Sequence, residues 1–275
     1  MNTLLPPAHL DTAAIIRASR SSFVPAFRLL SPRRRADLET FYAFCRVADD
    51  LADAPDHPQS DRYAALEAWR SGFRAEDHRG LPDNLRELIA RRGLDRRLFL
   101  ELLDGVATDL APTVRMATRA DLDLYCHRVA GTVGQLCLPI FGADRDRCTD
   151  YAETLGRALQ YTNILRDTAS DLQRGRIYYP LDELAAAGVE AAQFPRGAQN
   201  YLPSFARETQ SLFDRAAAIA PTGDRRALRP ARIMASIYRS LLGRMIEGGL
   251  QVTKKRHRLT PAEKIWAIGR ALLAQ

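Results

Sequence analysis

Apolar residues recur at spacings of three and four along most of the chain, and no stretch keeps the strict alternation of a half-buried strand. This periodicity predicts helices over about 11–20, 32–53, 61–75, 83–91, 95–110, 119–141, 145–173, 181–187, 199–219, 225–248 and 261–273. Local signals agree with these limits. Ser31-Pro32 offers a cap followed by proline at the first helical position. Ala54-Pro55 stops the second helix, and Gly175 and Gly188 close two later ones. No linker, low-complexity tract or clean repeat divides the sequence. Residues 1–275 therefore read as one all-α domain whose helices enclose the functional site.

Composition narrows the class further. At 46% hydrophobic and 27% charged residues, the chain can bury a sizeable core. The start, MNTLLPPAHL, is too short and proline-broken for a secretion signal. No apolar run approaches the ~20 residues of a spanning helix. A cytoplasmic protein is expected, with peripheral contact to an anionic membrane still open. Cys45, Cys126, Cys137 and Cys148 are scattered and are expected to be reduced and packed. The net charge of +7 comes with arginine clusters at 33–35, 91–97 and 225–232 and a basic run at 254–258. These lack interleaved aromatics, so nucleic acid is not expected. Lipid headgroups or a diphosphate substrate fit better, and most of these side chains read as solvated helix surface.

Two segments share the form D-x-x-x-D, Asp49 to Asp53 and Asp167 to Asp171. Residues four apart lie on one helical face, so each pair aims two carboxylates the same way. Tyr42, Arg46, Asp49 and Asp53 continue one stripe, while Phe41, Phe44 and Leu51 fall on other sides and can pack. Gln160, Asn163, Asp167 and Asp171 form a second stripe among Leu159, Tyr161, Ile164 and Leu165, which suggests that it faces a buried cavity. Facing carboxylates repel, and divalent cations relieve that repulsion. Mg²⁺ takes a few carboxylates together with phosphate oxygens and water. Arg166, Arg174 and Arg176 can bind phosphate oxygens bidentately. A solvated, salt-bridged surface is the competing reading of either stripe alone. Gly131 and Gly134 interrupt an apolar helix, which suits either an extended apolar ligand or tight helix packing. His127 reads as a surface or hydrogen-bonding histidine.

YAFCRVADDLAD, YCHRVAGTVG and LQYTNILRDTASDLQRGRIYYP, in this order, resemble the squalene/phytoene synthase family of head-to-head prenyl transferases, and the likeness runs from about 15 to 270. The resemblance implies an isoprenoid-synthase helical fold and a Mg²⁺-dependent reaction on two prenyl diphosphates. It casts Asp49, Asp53, Asp167 and Asp171 as metal carboxylates, with Asn163 as a further metal or phosphate contact. It casts Tyr42, Arg46, Arg166 and Arg176 as diphosphate-site residues, with Tyr42, Arg46, Tyr125 and Arg166 serving catalysis. Tyr125 and Gln160 would line the reacting region, and Tyr238 would lie near the diphosphate. Ser21 and Phe23 match a segment that closes over a diphosphate and its first isoprene. SSF…FRLLSPRRR and IYRSLLGRM…RLTPAEKIW resemble the bacterial hopanoid branch, which joins two farnesyl diphosphates into presqualene diphosphate without NADPH. Phytoene, hydroxysqualene or NADPH-dependent squalene synthesis are the alternatives within the family. A helical lipid-binding scaffold is the alternative outside it.

Overall fold

The computed structural model describes residues 4–19, 27, 30–54, 56–252 and 256–273. Helices follow the apolar periodicity closely. They are α1 (Thr12–Ser19), α2 (Pro32–Ala52), α3 (Gln59–Arg74), α4 (Asp83–Arg92), α5 (Arg96–Asp109), α6 (Arg119–Cys126) and α7 (Thr132–Phe141). The long α8 (Arg145–Gln173) is followed by α9 (Leu181–Ala186), α10 (Leu202–Ile219), α11 (Arg229–Glu247) and α12 (Pro261–Leu273). Local chemistry sets their ends. Pro32 begins α2 as expected, although the Ser31 hydroxyl makes no capping bond. Thr118 and Asp121 form a reciprocal capping box at α6. Asp144 accepts from the Arg147 amide at the start of α8.

Three expectations need correction. The helix expected over 119–141 is interrupted by a π turn, His127–Gly131, between α6 and α7. The turn lies where the chain packs closely on α8. A Cβ on Gly134 would sit 2.8 Å from the Ala152 carbonyl oxygen, and one on Gly156 would sit 2.7 Å from that of Ala130. Backbones meet there, at a turn that carries one extra residue. The second correction is a short parallel ladder, β1 (Val114–Arg115) with β2 (Arg176–Ile177), too brief to leave an alternating pattern. The third concerns α11, which starts at Arg229 rather than 225. Asp224 instead stays buried in the preceding turn, accepting from the Asp144 amide and the Arg147 guanidinium.

Two apolar clusters hold the helices together. In one, Phe44 of α2 packs edge-on against Trp69, Phe73 and Phe99 from α3 and α5. In the other, Tyr161 of α8 stacks on Phe205 of α10, beside Tyr179 and Tyr201. Helix α8 is central, with α7, α10 and α11 laid against it. Arg91 and Arg92 are not the solvated pair that the basic cluster suggests. Both reach the fully buried Asp37 of α2, at 2.7 Å each, and tie α4 to α2. The four cysteines are free, with Cys126 and Cys148 fully buried.

Candidate active site

A cavity of about 890 Å³ is lined by residues of both apolar clusters. Its lining along α2 and α8 shows the same order of chemistry. Leu38 and Phe41 come first on α2, then Arg46, Asp49 and Asp53 toward its C-terminus. Tyr151 and Leu155 come first on α8, then Gln160, Asn163, Asp167 and Asp171. At 1.5 Å per residue, Leu155 and Asp167 lie about 18 Å apart along the axis. The cavity is therefore apolar along one stretch and strongly polar along another. Both D-x-x-x-D pairs belong to the polar stretch.

The turn after α8 closes that polar end. Gly175 adopts a left-handed conformation, φ +74°, which reverses the chain into β2. Arg174 and Arg176 are thereby turned back onto the end of α2. Arg174 donates to Asp53 Oδ2 at 2.9 Å and Arg176 to Asp53 Oδ1 at 3.1 Å. Arg176, almost fully buried, also donates to the carbonyls of Ala52 and Asp109. On the facing wall, Arg166 and Arg256 both grip Asp167, the latter with contacts of 2.6 and 2.7 Å. Arg46 instead turns along α2 to Asp50.

These contacts divide each carboxylate pair. Burial works to raise the Asp167 carboxyl, but Arg166 and Arg256 outweigh it and hold it below its ordinary value. Asp49 and Asp171 have no such clasp. Burial pushes Asp49 up to about 7 despite Arg46, with Asp109, Asp50 and Asp53 adding to the rise. Burial, then Asp167, pushes Asp171 up to about 7 against Arg176 and Arg174. Asp109 is also raised by burial, although Tyr178 and Tyr125 donate to it at 2.7 and 2.9 Å. Those two rings stack with centroids 4.9 Å apart. Burial and the neighbouring Asp109 keep the Tyr125 phenol well above its ordinary value.

Every proposed site residue among the described ones lines this cavity: Tyr42, Arg46, Asp49, Asp53, Tyr125, Gln160, Asn163, Arg166, Asp167, Asp171, Arg176 and Tyr238. Tyr42 sits edge-on to Phe27, and Tyr238 interacts with Arg166. Ser21 and Phe23 lie outside the described residues. Gly134 lines the cavity and lies against Ala152 of α8, and Gly131 lies against Glu153, so the segment shows the close packing that its glycines allow. His127 bridges Glu153 and Glu101 at 2.8 and 2.9 Å.

Asp109, Tyr178 and Arg256 also line the cavity and were not singled out from the sequence. Asp109 carried one usable signal, since a carboxylate in the last turn of a helix opposes the helix dipole.

The donor set suits a hard cation. Its cavity-facing groups are carboxylates and an amide, and Asn163 Oδ1 is a buried acceptor without a hydrogen-bond partner. Asp49, open toward the cavity, and Asp171, half-buried in its wall, both repel their acidic neighbours. Among the described residues, no three acidic, histidine or cysteine side chains close on one point. Arginines hold Asp53 and Asp167 instead. The arrangement can thus receive a cation and a polyanion at one end and an apolar chain along the other.

A solved dehydrosqualene synthase, in complex with ligand, matches with a TM-score of 0.81 at 26% identity, over 96% of this chain and 94% of that one. The fold is the all-α isoprenoid-synthase fold. The family model described as squalene/phytoene synthase matches residues 16–263, and the chain belongs to that family. It is 36% identical over 270 residues to the presqualene diphosphate synthase of Rhodopseudomonas palustris, spanning 94% of both chains. It is 33% identical over 271 residues to the phytoene synthase of Thermus thermophilus, spanning 94% of this chain and 91% of that one. The protein is an enzyme of the prenyltransferase type, and its substrate class is prenyl diphosphates.

Proposed function

We propose that this enzyme condenses two farnesyl diphosphates head to head into presqualene diphosphate, releasing pyrophosphate in a Mg²⁺-dependent reaction. The observation that carries the reading is the pair of facing aspartate stripes at the polar end of an otherwise apolar cavity. Its similarity to presqualene diphosphate synthases over most of both chains supports the choice of product.

Asp49, Asp53, Asp167 and Asp171 would hold the metal, with Asn163 Oδ1 as a further donor. When bound, Mg²⁺ neutralises the charge that develops on departing pyrophosphate. Arg46, Arg166, Arg174 and Arg176 are within the cavity and can exchange aspartate for phosphate oxygens. Breaking the C–O bond of one farnesyl diphosphate sends its electron pair out with pyrophosphate. Apolar walls such as Phe41 and Leu155 keep water from the allylic cation. The double bond of the second farnesyl chain attacks that cation, and loss of one proton closes the cyclopropane. Tyr125 is kept protonated by burial beside Asp109, so its hydroxyl oxygen acts as a neutral dipole toward the cation. Pyrophosphate is the stronger base in the cavity. The sum consumes no reductant, so NADPH is not required. We place the enzyme in the cytoplasm, in peripheral contact with an anionic membrane.

The test is incubation of purified protein with farnesyl diphosphate and Mg²⁺, with and without NADPH, followed by mass analysis of the products. A diphosphate built from two farnesyl units, formed without NADPH, is expected. Product from geranylgeranyl diphosphate alone would establish the phytoene reading that the Thermus relative favours. Squalene formed only with NADPH, or no product from either prenyl diphosphate, would also overturn the proposal.

A further inference from the structure

Helix α12 carries two apolar faces. The inner one is satisfied: Ala267 is fully buried, Ile268 and Leu272 pack on the core, and the Ser236 hydroxyl donates to the Ala267 carbonyl at 2.7 Å. The outer one is not. Ala262, Ile265, Trp266, Gly269 and Leu273 follow at helical spacing. Ile265 is 70% exposed, Trp266 68% and Leu273 85%. Of the seven large hydrophobic residues that are exposed among the described residues, three lie on this one helix. Such concentration marks a contact surface rather than scatter.

Charge identifies the partner. Between 256 and 273 there are four basic residues and one acidic residue, Glu263; Arg256 is committed to Asp167, which leaves Arg258, Lys264 and Arg270. Glu263 is already engaged by Arg244 and by the Thr260 amide. Two copies meeting through this face would bring like charges together. An anionic surface would be attracted, and tryptophan beside basic side chains is the composition of a helix that lies in a membrane interface. Arg256, Arg258 and Lys264 line the cavity, so the start of α12 lies beside it.

We propose that the outer face of α12 docks the protein on an anionic phospholipid bilayer, with Ile265, Trp266 and Leu273 immersed and Arg270 at headgroup level. This deepens the membrane contact proposed above by naming its surface. That the docked face opens the cavity toward dissolved prenyl chains rests on the proposed function, but the docking itself does not.

The full chain, without substrate, is mixed with vesicles of phosphatidylcholine alone or with phosphatidylglycerol. Trp69 is fully buried and Trp266 exposed, so a change in tryptophan emission reports α12. Co-sedimentation with the anionic vesicles and a blue-shifted emission are expected. Ile265→Asp should weaken binding at least about tenfold, the loss of one buried aliphatic side chain from the interface. Arg270→Glu should weaken it about fivefold or more. No shift on anionic vesicles, equal binding to both vesicle types, or wild-type binding by Ile265→Asp would each overturn the assignment. A dimer in solution that Ile265→Asp dissociates would overturn it in favour of a second copy. Pyrophosphate release from farnesyl diphosphate in detergent is measured alongside. Turnover without vesicle binding sinks only the surface, and vesicle binding without turnover sinks only the reaction.

Discussion

Arg176 reaches Asp53 across the end of the cavity, Nη1 to Oδ1 at 3.1 Å, and joins the turn after α8 to the last residue of the first aspartate motif. The same guanidinium donates to two backbone carbonyls, whereas its neighbour Arg174, among the described residues, donates at an exposed position to Asp53 alone. Arg176→Lys should therefore lower turnover by about 100-fold or more, the scale of losing a preorganised donor. Arg174→Met should lower it less than about tenfold, because that donor is half-exposed and already solvated. Pyrophosphate release, compared at equal helical content by circular dichroism, distinguishes the two. Equal losses would mean that the buried clasp has no special part.

Asp49 and Asp171 carry the uncompensated charge of the site. Asp49→Asn and Asp171→Asn should each abolish measurable turnover while removing a repulsion from the ligand-free protein. The thermal midpoint of either variant should match or exceed that of the parent without metal. Addition of Mg²⁺ with pyrophosphate should raise the parent's midpoint by about 3 °C or more, and that of the variants much less. A full metal-dependent rise in Asp171→Asn would remove this residue from the metal site.

His127 links the π turn to α5 and α8 through Glu101 and Glu153, and Gln135 donates to the same Glu153. Burial lowers its affinity for a proton, but the hydrogen bonds and charges of the two glutamates outweigh this and raise its pKa above 6.5. The charged imidazolium thus stabilises the fold fully below 6.5, and this contribution is lost as pH rises through the elevated value. The thermal midpoint should decline over that upper range, and His127→Gln should flatten the decline. A parallel pH profile in parent and variant would show that other groups govern it.

Gly156 and Gly243 both sit inside helices, in opposite circumstances. Alanine at 156 would place its Cβ against the backbone of Ala130 and Gly131, which cannot give way like a side-chain tip. A loss of about 1–3 kcal/mol is expected. Alanine at 243 meets nothing and should gain roughly 0.5–1 kcal/mol from reduced unfolded-chain freedom. Urea unfolding of both variants measures the contrast, and comparable effects of one sign would undo the packing argument.

Helix positions and both aspartate stripes were legible because each depends on spacing within one element. Leu159, Ile164 and Leu165 around Asn163 and Asp167 even indicated which face turns inward. What spacing cannot show is pairing between distant segments. Arg256 stands in a basic run that reads as solvated, yet it grips Asp167. Arg91 and Arg92 read the same way and hold a buried aspartate. Asp109 belongs to no motif, and its partners in the cavity, Tyr125 and Tyr178, come from distant segments. The π turn was hidden because periodicity does not separate it from a continuous helix, and the backbone contact beside it involves glycines, side chains that are missing rather than present.

Asp53 and Asp167 are each clasped by two arginines. A cation arriving alone must compete with those guanidinium groups for the carboxylates. A diphosphate arriving alone must compete with the carboxylates for the guanidinium groups. Arriving together, the cation could take the carboxylates and the diphosphate the guanidinium groups. On the proposed function, the double clasp would act as a coincidence detector that receives the metal–diphosphate pair more readily than either member by itself.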